Sequence, residues 1–343
     1  MSRVLIQPAP LVDLGGLPFE AVITVMHAGQ VTIQNLAIDA SNNTVSGCGI
    51  NLAGIHFYNS SGAVLNNAIS GAQLQKPTSC PALFPGTGQG VQVDVDTGCG
   101  LCLFSPIHVS VDGNSIHDFG RNGILGIGAG LSLEASGNSI TGVGPSLGTY
   151  QFGIFVALGA VGQIRNNFIS QQGCGTLSAM ACFNLRSEGV VLRSAADGTV
   201  IDGNTITTAQ FGLLLNGGNA ISVTNNVIKN ISSAGSGMQL QSITNSVFDG
   251  NSILGVGPIN QDSVDGHEGC GINEISLLEG APPGTIGSSG NIFRNNTVTD
   301  AYCGVGYVTG DTPVSGTYLN TLYSTLNNDQ LAAGPFPPPT EPQ

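Results

Sequence analysis

Two aspartates separated by one residue are the first side chains in the sequence that could do chemistry. Asp94 and Asp96 belong to a segment in which apolar and polar residues alternate from Gly90 onward, so on a β-strand both carboxylates lie on one face. Such a pair could share a calcium ion, or the two carboxylates could act as acid and base in glycoside hydrolysis. The alternative is that they form a turn before an insertion over residues 97–106.

A second group of polar side chains follows four glycines farther along the chain. Its members are amides, cations and carboxylates, a mixture that can hydrogen-bond to sugar hydroxyls. The candidate substrate-binding residues are Arg186, Arg193, Asn216, Gln239, Gln241 and Asn273. The candidates for catalysis are Asp94, Asp96, Glu188, Arg193, His267 and Glu268. The alternative is that the amides only keep surface strands hydrated.

Two short motifs recur along the chain and define the elements that must position these side chains. The first is an asparagine followed two residues later by Ile or Val, at Asn67, Asn114, Asn138, Asn167, Asn204, Asn226, Asn251 and Asn296. The second is a glycine followed by an apolar residue, at Gly54, Gly90, Gly123, Gly153, Gly189, Gly212, Gly237, Gly271 and Gly304. A nearly fixed spacing, with the glycine 13 to 15 residues before the asparagine in six repeats, indicates a repeat architecture.

Within each repeat, apolar and polar residues alternate with the period of a β-strand, as in Gly237-Met-Gln-Leu-Gln. One repeat is too short to close a core, so repeats are expected to stack as coils whose strands pair in parallel, ~4.8 Å apart. The repeat asparagine suits a sharp left-handed corner. Its amide could also bond to the equivalent amide of the next coil and form a ladder.

This pattern resembles the right-handed parallel β-helix proteins of the pectin-lyase-like superfamily, over roughly residues 30 to 325. Asn204-Thr-Ile and Asn226-Val-Ile, with Gly212-Leu and Gly237-Met after them, are typical of that superfamily. The resemblance implies an all-β chain, a single-stranded right-handed parallel β-helix (solenoid) of about nine to ten coils. The expected parts are an N-terminal coil over 1–30, the β-helix with loop insertions over 31–326 and a proline-rich tail over 327–343.

The superfamily includes polysaccharide lyases, glycoside hydrolases, epimerases, phage tailspikes and adhesins, so the resemblance alone implies no single activity. Gly266-His267-Glu268-Gly269 resembles the histidine motif of polygalacturonases only loosely, and their Arg-x-Lys motif is missing. The calcium aspartates and catalytic arginine of pectate lyases are not recognisable either. A left-handed helix and a β-propeller are the alternative folds, but neither hexapeptide regularity nor blade-length repeats are present.

Strand alternation also predicts two outward rows on the strand that starts at the repeat glycine. With the first residue after the glycine pointing in, the next positions form an outer row: His56, Gln92, Leu125, Phe155, Val191, Leu214, Gln239, Asn273 and Gly306. Two residues later, the polar members of a second row are Tyr58, Asp94, Arg193, Asn216 and Gln241. His117, Asp118 and Arg121 precede the strand after Asp94. Long loops at 71–89, 170–188 and 254–270 are expected to wall this face and form a groove.

Composition excludes several classes of partner. The formal net charge is −13 with only eight Lys and Arg, so a nucleic acid or an anionic membrane surface would be repelled. No apolar stretch is long enough to insert into a membrane. Neutral glycans or cations fit this charge better, and a highly anionic polymer would need bridging metal ions, with calcium as the candidate cofactor.

Eight cysteines in a lysine-poor chain favour an oxidising, extracellular or cell-surface setting. Cys270 and Cys303 each come directly before a repeat glycine, which predicts that they stack on consecutive coils with inward side chains. They could form a disulfide or remain two buried thiols. No signal peptide is visible, so either a leader was removed or the chain is a piece of a longer secreted protein.

Two functions remain open from the sequence. The first is an extracellular β-helix that presents a polar, loop-walled strand face to a polysaccharide, with or without lyase or hydrolase activity. The second is a non-catalytic structural or adhesive surface module that associates end to end, since open ends of a solenoid expose unpaired strands.

Overall fold

The computed structural model describes residues 4–6, 19–43, 51–73, 87–96, 106–144, 150–172, 187–232, 235–257, 269–275, 287–301, 303–308, 315–319 and 322–325. Every regular element in this part of the chain is a β-strand, and all strand pairs are parallel. The strands form three stacks, named sheets I, II and III in the order in which a coil passes through them.

Sheet I contains the strands that begin near the repeat glycines: β2 (Phe19–Met26), β5 (Asn51–Tyr58), β8 (Thr87–Asp94), β11 (Asn122–Ile127), β14 (Gln151–Ala157), β17 (Ser187–Arg193), β20 (Phe211–Asn219), β23 (Met238–Thr244), β26 (Cys270–Ile275) and β29 (Cys303–Val308). Sheet II contains β3 (Val31–Gln34), β6 (Gly62–Leu65), β9 (Ile107–Asp112), β12 (Leu131–Ser136), β15 (Val161–Arg165), β18 (Val200–Asp202), β21 (Ser222–Thr224), β24 (Val247–Asp249), β27 (Ser289–Arg294) and β30 (Ser315–Leu319).

Sheet III contains the strands that follow the repeat asparagines: β1 (Val4–Ile6), β4 (Leu36–Asp39), β7 (Ala68–Ser70), β10 (Ser115–His117), β13 (Ser139–Thr141), β16 (Phe168–Gln172), β19 (Thr205–Ala209), β22 (Val227–Ile231), β25 (Ser252–Val256), β28 (Thr297–Ala301) and β31 (Leu322–Thr325). Each turn of the chain from β2 onward adds one strand to each sheet, which gives ten coils in the described part of the chain. The all-β solenoid of nine to ten coils expected from the sequence is therefore confirmed.

The core is a set of columns in which equivalent residues of successive coils stack. In sheet III, Ile116 pairs with Ile69 on one side and Ile140 on the other, and all three are at most 1% exposed. Phe248 and Phe293 stack in the same way, with ring centroids 4.6 Å apart. Because one coil buries little by itself, this column packing between coils stabilises the fold.

The eight repeat asparagines form the predicted ladder between sheets II and III. Each Nδ2 donates to the Oδ1 of the next asparagine at 2.9–3.1 Å, from Asn67 through to Asn296. All eight are at most 1% exposed. The backbone N–H of each asparagine in the series up to Asn251 donates to the same Oδ1, so one amide oxygen satisfies two donors.

The left-handed corner lies one residue earlier than the sequence suggested. Every residue directly before the ladder slot has a φ between +54° and +66°: Asn35, Asn66, Gly113, Gly137, Asn166, Gly203, Asn225, Gly250 and Asn295. The ladder asparagine itself is therefore selected for its amide, while the preceding Asn or Gly is selected because it tolerates positive φ.

The repeat glycines point towards the core, although strict alternation from the inward residue after each glycine would turn the glycine outward. A Cβ on Gly153 would lie 2.5 Å from Cγ2 of Ile169 in the core and 2.5 Å from the carbonyl oxygen of Gly189. The glycine thus allows sheet I to approach sheet III closely. The residue before it faces outward, as Phe152 does in a cluster outside the main core. Cys270 occupies this same slot before Gly271, so the inward orientation predicted for it is wrong.

Several predictions fall on residues outside the described part of the chain. These are most of the three long loops, the tail over 327–343, and Arg186, His267 and Glu268. Among the described residues, no helix could span a membrane.

Candidate functional site

The register of sheet I brings the two predicted outward rows into line. His56 pairs with Gln92, Gln92 with Leu125 and Leu125 with Phe155, and the row continues through Leu214 to Asn273. This shared register places groups that are far apart in sequence on one sheet face.

The first polar centre of this face lies around Asp94 on β8. His56 Nε2 is 2.9 Å from Asp94 Oδ2, and Gln92 Nε2 donates to the same oxygen at 2.6 Å. The side chains of His56 and Asp94 are only 5% and 15% exposed. A shielded carboxylate held by two partners is fixed in position, and the imidazole beside it can carry a proton.

Tyr58 and Asp96 form a second pair next to the first. The Tyr58 hydroxyl donates to Asp96 Oδ2 at 3.2 Å, and the tyrosine ring lies edge-on to the rings of His27 and His56. Burial raises the pKa of the Tyr58 phenol, and Asp96 and Asp94 act in the same direction because their charges oppose a phenolate. The phenol therefore remains a proton donor at neutral pH.

Arg121 precedes β11 and adds a cation to this face. Its guanidinium lies 5.9 Å from the ring centroid of Phe152, within cation–π range. Burial lowers the pKa of Arg121, and Arg193 contributes in the same direction, whereas Tyr150 and Glu188 oppose the shift. The arginine stays charged. A permanent positive charge therefore lies on the same cavity as Tyr150, Glu188 and Arg193.

Unpaired polar atoms mark the same place. Nε of Arg121 and Oδ1 of Asn122 are buried without a hydrogen-bond partner, although Asn122 Nδ2 donates to Gln89 Oε1. Neither Arg121 nor Arg193 forms an ion pair with a carboxylate of the described residues. Buried polar atoms without partners are costly, so this site has unused capacity for hydrogen bonding.

Two adjoining cavities follow the face along the coils. The first, of about 350 Å³, is lined by Gln92, Asp94, Tyr58, Asp96, Asn122 and Leu125, among others. The second, of about 340 Å³, is lined by Tyr150, Phe152, Glu188, Arg193, Leu214 and Asn216, among others. Arg121 and Phe155 line both cavities, which therefore form one groove, named here the sheet I groove.

The floor of the second cavity is apolar, which is unusual for the outer face of a solenoid. Phe152, Val191, Phe211 and Leu214 pack into a cluster separate from the main core, with Tyr150 and Phe155 against it. Aromatic rings next to cations and carboxylates provide both a stacking surface and hydrogen-bonding groups.

The structure brings together only part of the predicted site. Asp94 and Asp96 lie at one end of the groove, and Glu188, Arg193 and Asn216 lie at the other. Asn216 Nδ2 donates to Gln241 Oε1 at 3.3 Å. Gln239 and Asn273 extend the row past the second cavity without lining it in the described part of the chain.

Some site residues were not recognised in the sequence. Asn122, Phe152 and Glu188 all stand directly before a repeat glycine, in the slot that faces the groove. Glu188 was already a candidate for catalysis, whereas Asn122 and Phe152 were not predicted at all. The signal that could have identified them is their common position before the glycine.

A larger cavity, of about 480 Å³, lies next to sheet III and away from the predicted rows. Its lining includes Asp39, Asn43, Ser70 and Asp118. The predicted rows therefore carry a groove, but not the largest cavity.

Calcium binding at Asp94 and Asp96 stays a prediction. Within the described ranges, no three His, Cys, Asp or Glu side chains are grouped closely enough to hold a metal ion. One oxygen of Asp94 is already engaged by His56 and Gln92, so a cation there would depend on the remaining oxygens and on water.

Comparison with known proteins identifies the architecture. A family model described as "Right handed beta helix region" matches residues 99–273, just over half of the chain. Two crystal structures of mutants of the periplasmic alginate epimerase AlgG have a similar fold, with TM-scores of 0.53 and 0.51. Each is 12% identical in sequence, and the match covers 88% of this chain and 70% of the AlgG chain. No curated protein gives a significant match.

Proposed function

Because the chain belongs to the right-handed β-helix family, we propose that it binds a polysaccharide along the sheet I groove. One observation carries this proposal. Arg121 and Phe155 line both cavities, so the two cavities form one groove that runs along the direction in which the coils stack. A linear polymer needs an elongated site. A pyranose unit is about as long as the spacing of ~4.8 Å between neighbouring coils.

The chemistry of the groove supports a sugar ligand. Tyr150, Phe152 and Phe155 offer ring faces and edges to the apolar side of a pyranose. Asp94, Asp96 and Asn216 offer oxygen and amide groups to its hydroxyls. AlgG, which has a similar fold, is named as an epimerase of alginate, a polysaccharide. Since AlgG is named as a periplasmic enzyme in both structures, we also propose that this protein is exported from the cytoplasm.

The acidic end of the groove would support a lyase or hydrolase reaction on the bound polymer. His56 next to Asp94, and Tyr58 next to Asp96, are pairs that can accept or donate a proton. Incubation with a bound polysaccharide tests this. The appearance of new reducing ends would indicate hydrolysis, and the appearance of unsaturated ends that absorb ultraviolet light would indicate elimination. The alternative of a structural module that associates end to end stays a prediction, which light scattering of the purified chain can test.

A matched pair of phenylalanine substitutions tests binding. Phe155 joins the two cavities on sheet I, whereas Phe168 lies on sheet III and is 45% exposed. After a glycan array has identified a binding polysaccharide, Phe155→Ala should weaken its binding about tenfold through lost ring contacts, and Phe168→Ala should leave it unchanged. Equal affinity of both variants, or no glycan binding by the wild type, would contradict the proposal.

A further inference from the structure

The two ends of the sheet I groove carry opposite charge. Asp94 pairs with Ile127, Ile127 with Ala157 and Ala157 with Arg193, so the aspartate and the arginine stand in one row, three strands apart. At ~4.8 Å per strand this separation is about 14 Å, or about three sugar units. Arg121 lies between them and lines both cavities.

The acidic end is suited to hydroxyl groups rather than to anions. Asp94 is shielded from solvent, and Asp96 lies beside it on the same groove wall. A sugar carboxylate placed beside Asp94 would be repelled, because the side chain of Asp94 is only 15% exposed and like charges interact more strongly where water is scarce. Sugar hydroxyls, in contrast, can donate hydrogen bonds to both aspartates.

The cationic end is suited to a carboxylate. Among the described residues that line this cavity, Arg121 and Arg193 are positively charged and Glu188 is negatively charged. Neither arginine is ion-paired to a described carboxylate, and Nε of Arg121 has no hydrogen-bond partner. A guanidinium binds a carboxylate through two parallel hydrogen bonds, which a neutral sugar cannot form.

We infer that the sheet I groove binds an acidic heteropolysaccharide, in which carboxylate-bearing sugars are separated by neutral ones. The inference rests on the proposed function and names the class of its ligand. A uniform polyuronate would place a carboxylate against Asp94 and Asp96, and a neutral glycan would leave Arg121 unpaired. With the carboxylate held at Arg121 and Arg193, a protein of net charge −13 can bind an acidic polymer without bridging metal ions.

The experiment compares three probes of equal length by calorimetry in the presence of EDTA. The probes are gellan oligosaccharides with one uronate per repeat, oligogalacturonate and neutral cello-oligosaccharides. The gellan probe should bind most tightly, and Arg121→Gln and Arg193→Gln should each weaken it by about tenfold to a hundredfold. Arg294→Gln is the matched control, because Arg294 pairs with Asp249 on sheet II, outside the groove. Circular dichroism checks that each variant is folded.

Asp94→Asn supplies a second, independent measurement. Removal of this negative charge should raise the affinity for oligogalacturonate relative to the wild type, since the repulsion at the acidic end falls. If oligogalacturonate or the neutral probe binds the wild type as tightly as the gellan probe, or if Arg121→Gln has no effect, the inference is wrong while polysaccharide binding still stands. Absence of binding by every glycan tested on the array would overturn both.

Discussion

Nδ2 of Asn204 donates to Oδ1 of Asn226 at 2.9 Å, and the same Nδ2 also lies 3.0 Å from the carbonyl oxygen of Ile164. Oδ1 of Asn204 in turn accepts from the backbone N–H and the Nδ2 of Asn167. One buried side chain therefore links three successive coils, and the removal of its amide affects all of them.

Replacement of Asn204 by leucine should destabilise the fold by about 3 kcal/mol or more, because several buried donors and acceptors lose their partners in a dry corner. Urea unfolding followed by circular dichroism measures the change. The control is Gln163→Leu, an amide on sheet II whose hydrogen bond to Gly198 is solvent-exposed, and its effect should stay below about 1 kcal/mol. Equal destabilisation by the two changes would contradict a structural role for the ladder.

The corner before the ladder should tolerate glycine but not alanine. Gly203 has φ +66°, and an added Cβ would lie 2.5 Å from Asn166 Oδ1. Gly203→Ala should therefore cost about 1–2 kcal/mol, whereas Asn166→Gly, at φ +55°, should change the free energy of unfolding little. If the alanine variant unfolds at the same urea concentration as the wild type, the positive φ is not required.

Tyr58 should lose its proton at higher pH than an ordinary tyrosine, whose pKa is about 10. Partial burial and the neighbouring Asp96 and Asp94 all disfavour the phenolate, so its pKa is raised. Titration of ¹³C-labelled tyrosine by NMR, with Tyr58→Phe for assignment, measures the shift. Asp96→Asn removes a charge and should bring the pKa back towards the ordinary value, and an unchanged titration would show that Asp96 has no influence.

Cys270 and Cys303 should form a disulfide under oxidising conditions. The two residues pair directly on β26 and β29, and neighbouring parallel strands place Cα atoms ~4.8 Å apart, within the range that a disulfide spans. Peptide mapping without reductant should recover the two peptides joined. Reduction should lower stability by about 3–4 kcal/mol for a loop of this length. Alkylation of both cysteines in unreduced, denatured protein would disprove the bond.

Most of the fold could be predicted from the sequence, because a β-helix is built from local repeats. A spacing of 13 to 15 residues from glycine to asparagine recurs in six repeats, so one register applies along the chain, and it places His56, Gln92 and Leu125 in one row. The ladder follows for the same reason, since any asparagine in that slot must meet its equivalent 4.8 Å away.

The character of the groove could not be predicted in this way. A strict two-residue alternation assigns the residues before the glycines to the core, but the close approach of Gly123 and Gly153 to sheet III turns Asn122 and Phe152 outward. Glu274 shows the opposite case, a charged residue that lies in the core. It stands in register with Leu240 and is fully buried, with Asn291 Nδ2 donating to its Oε1 at 2.9 Å.

The sequence by itself determined the coil, its register and the two outward rows, because these depend on spacing within one repeat. The tertiary structure alone decided that Arg121 lies between Asp94 and Arg193 and that its Nε has no partner. The physical reason is that side-chain pairing and burial depend on neighbouring coils, whose contributions come from 22 to 47 residues away in the chain.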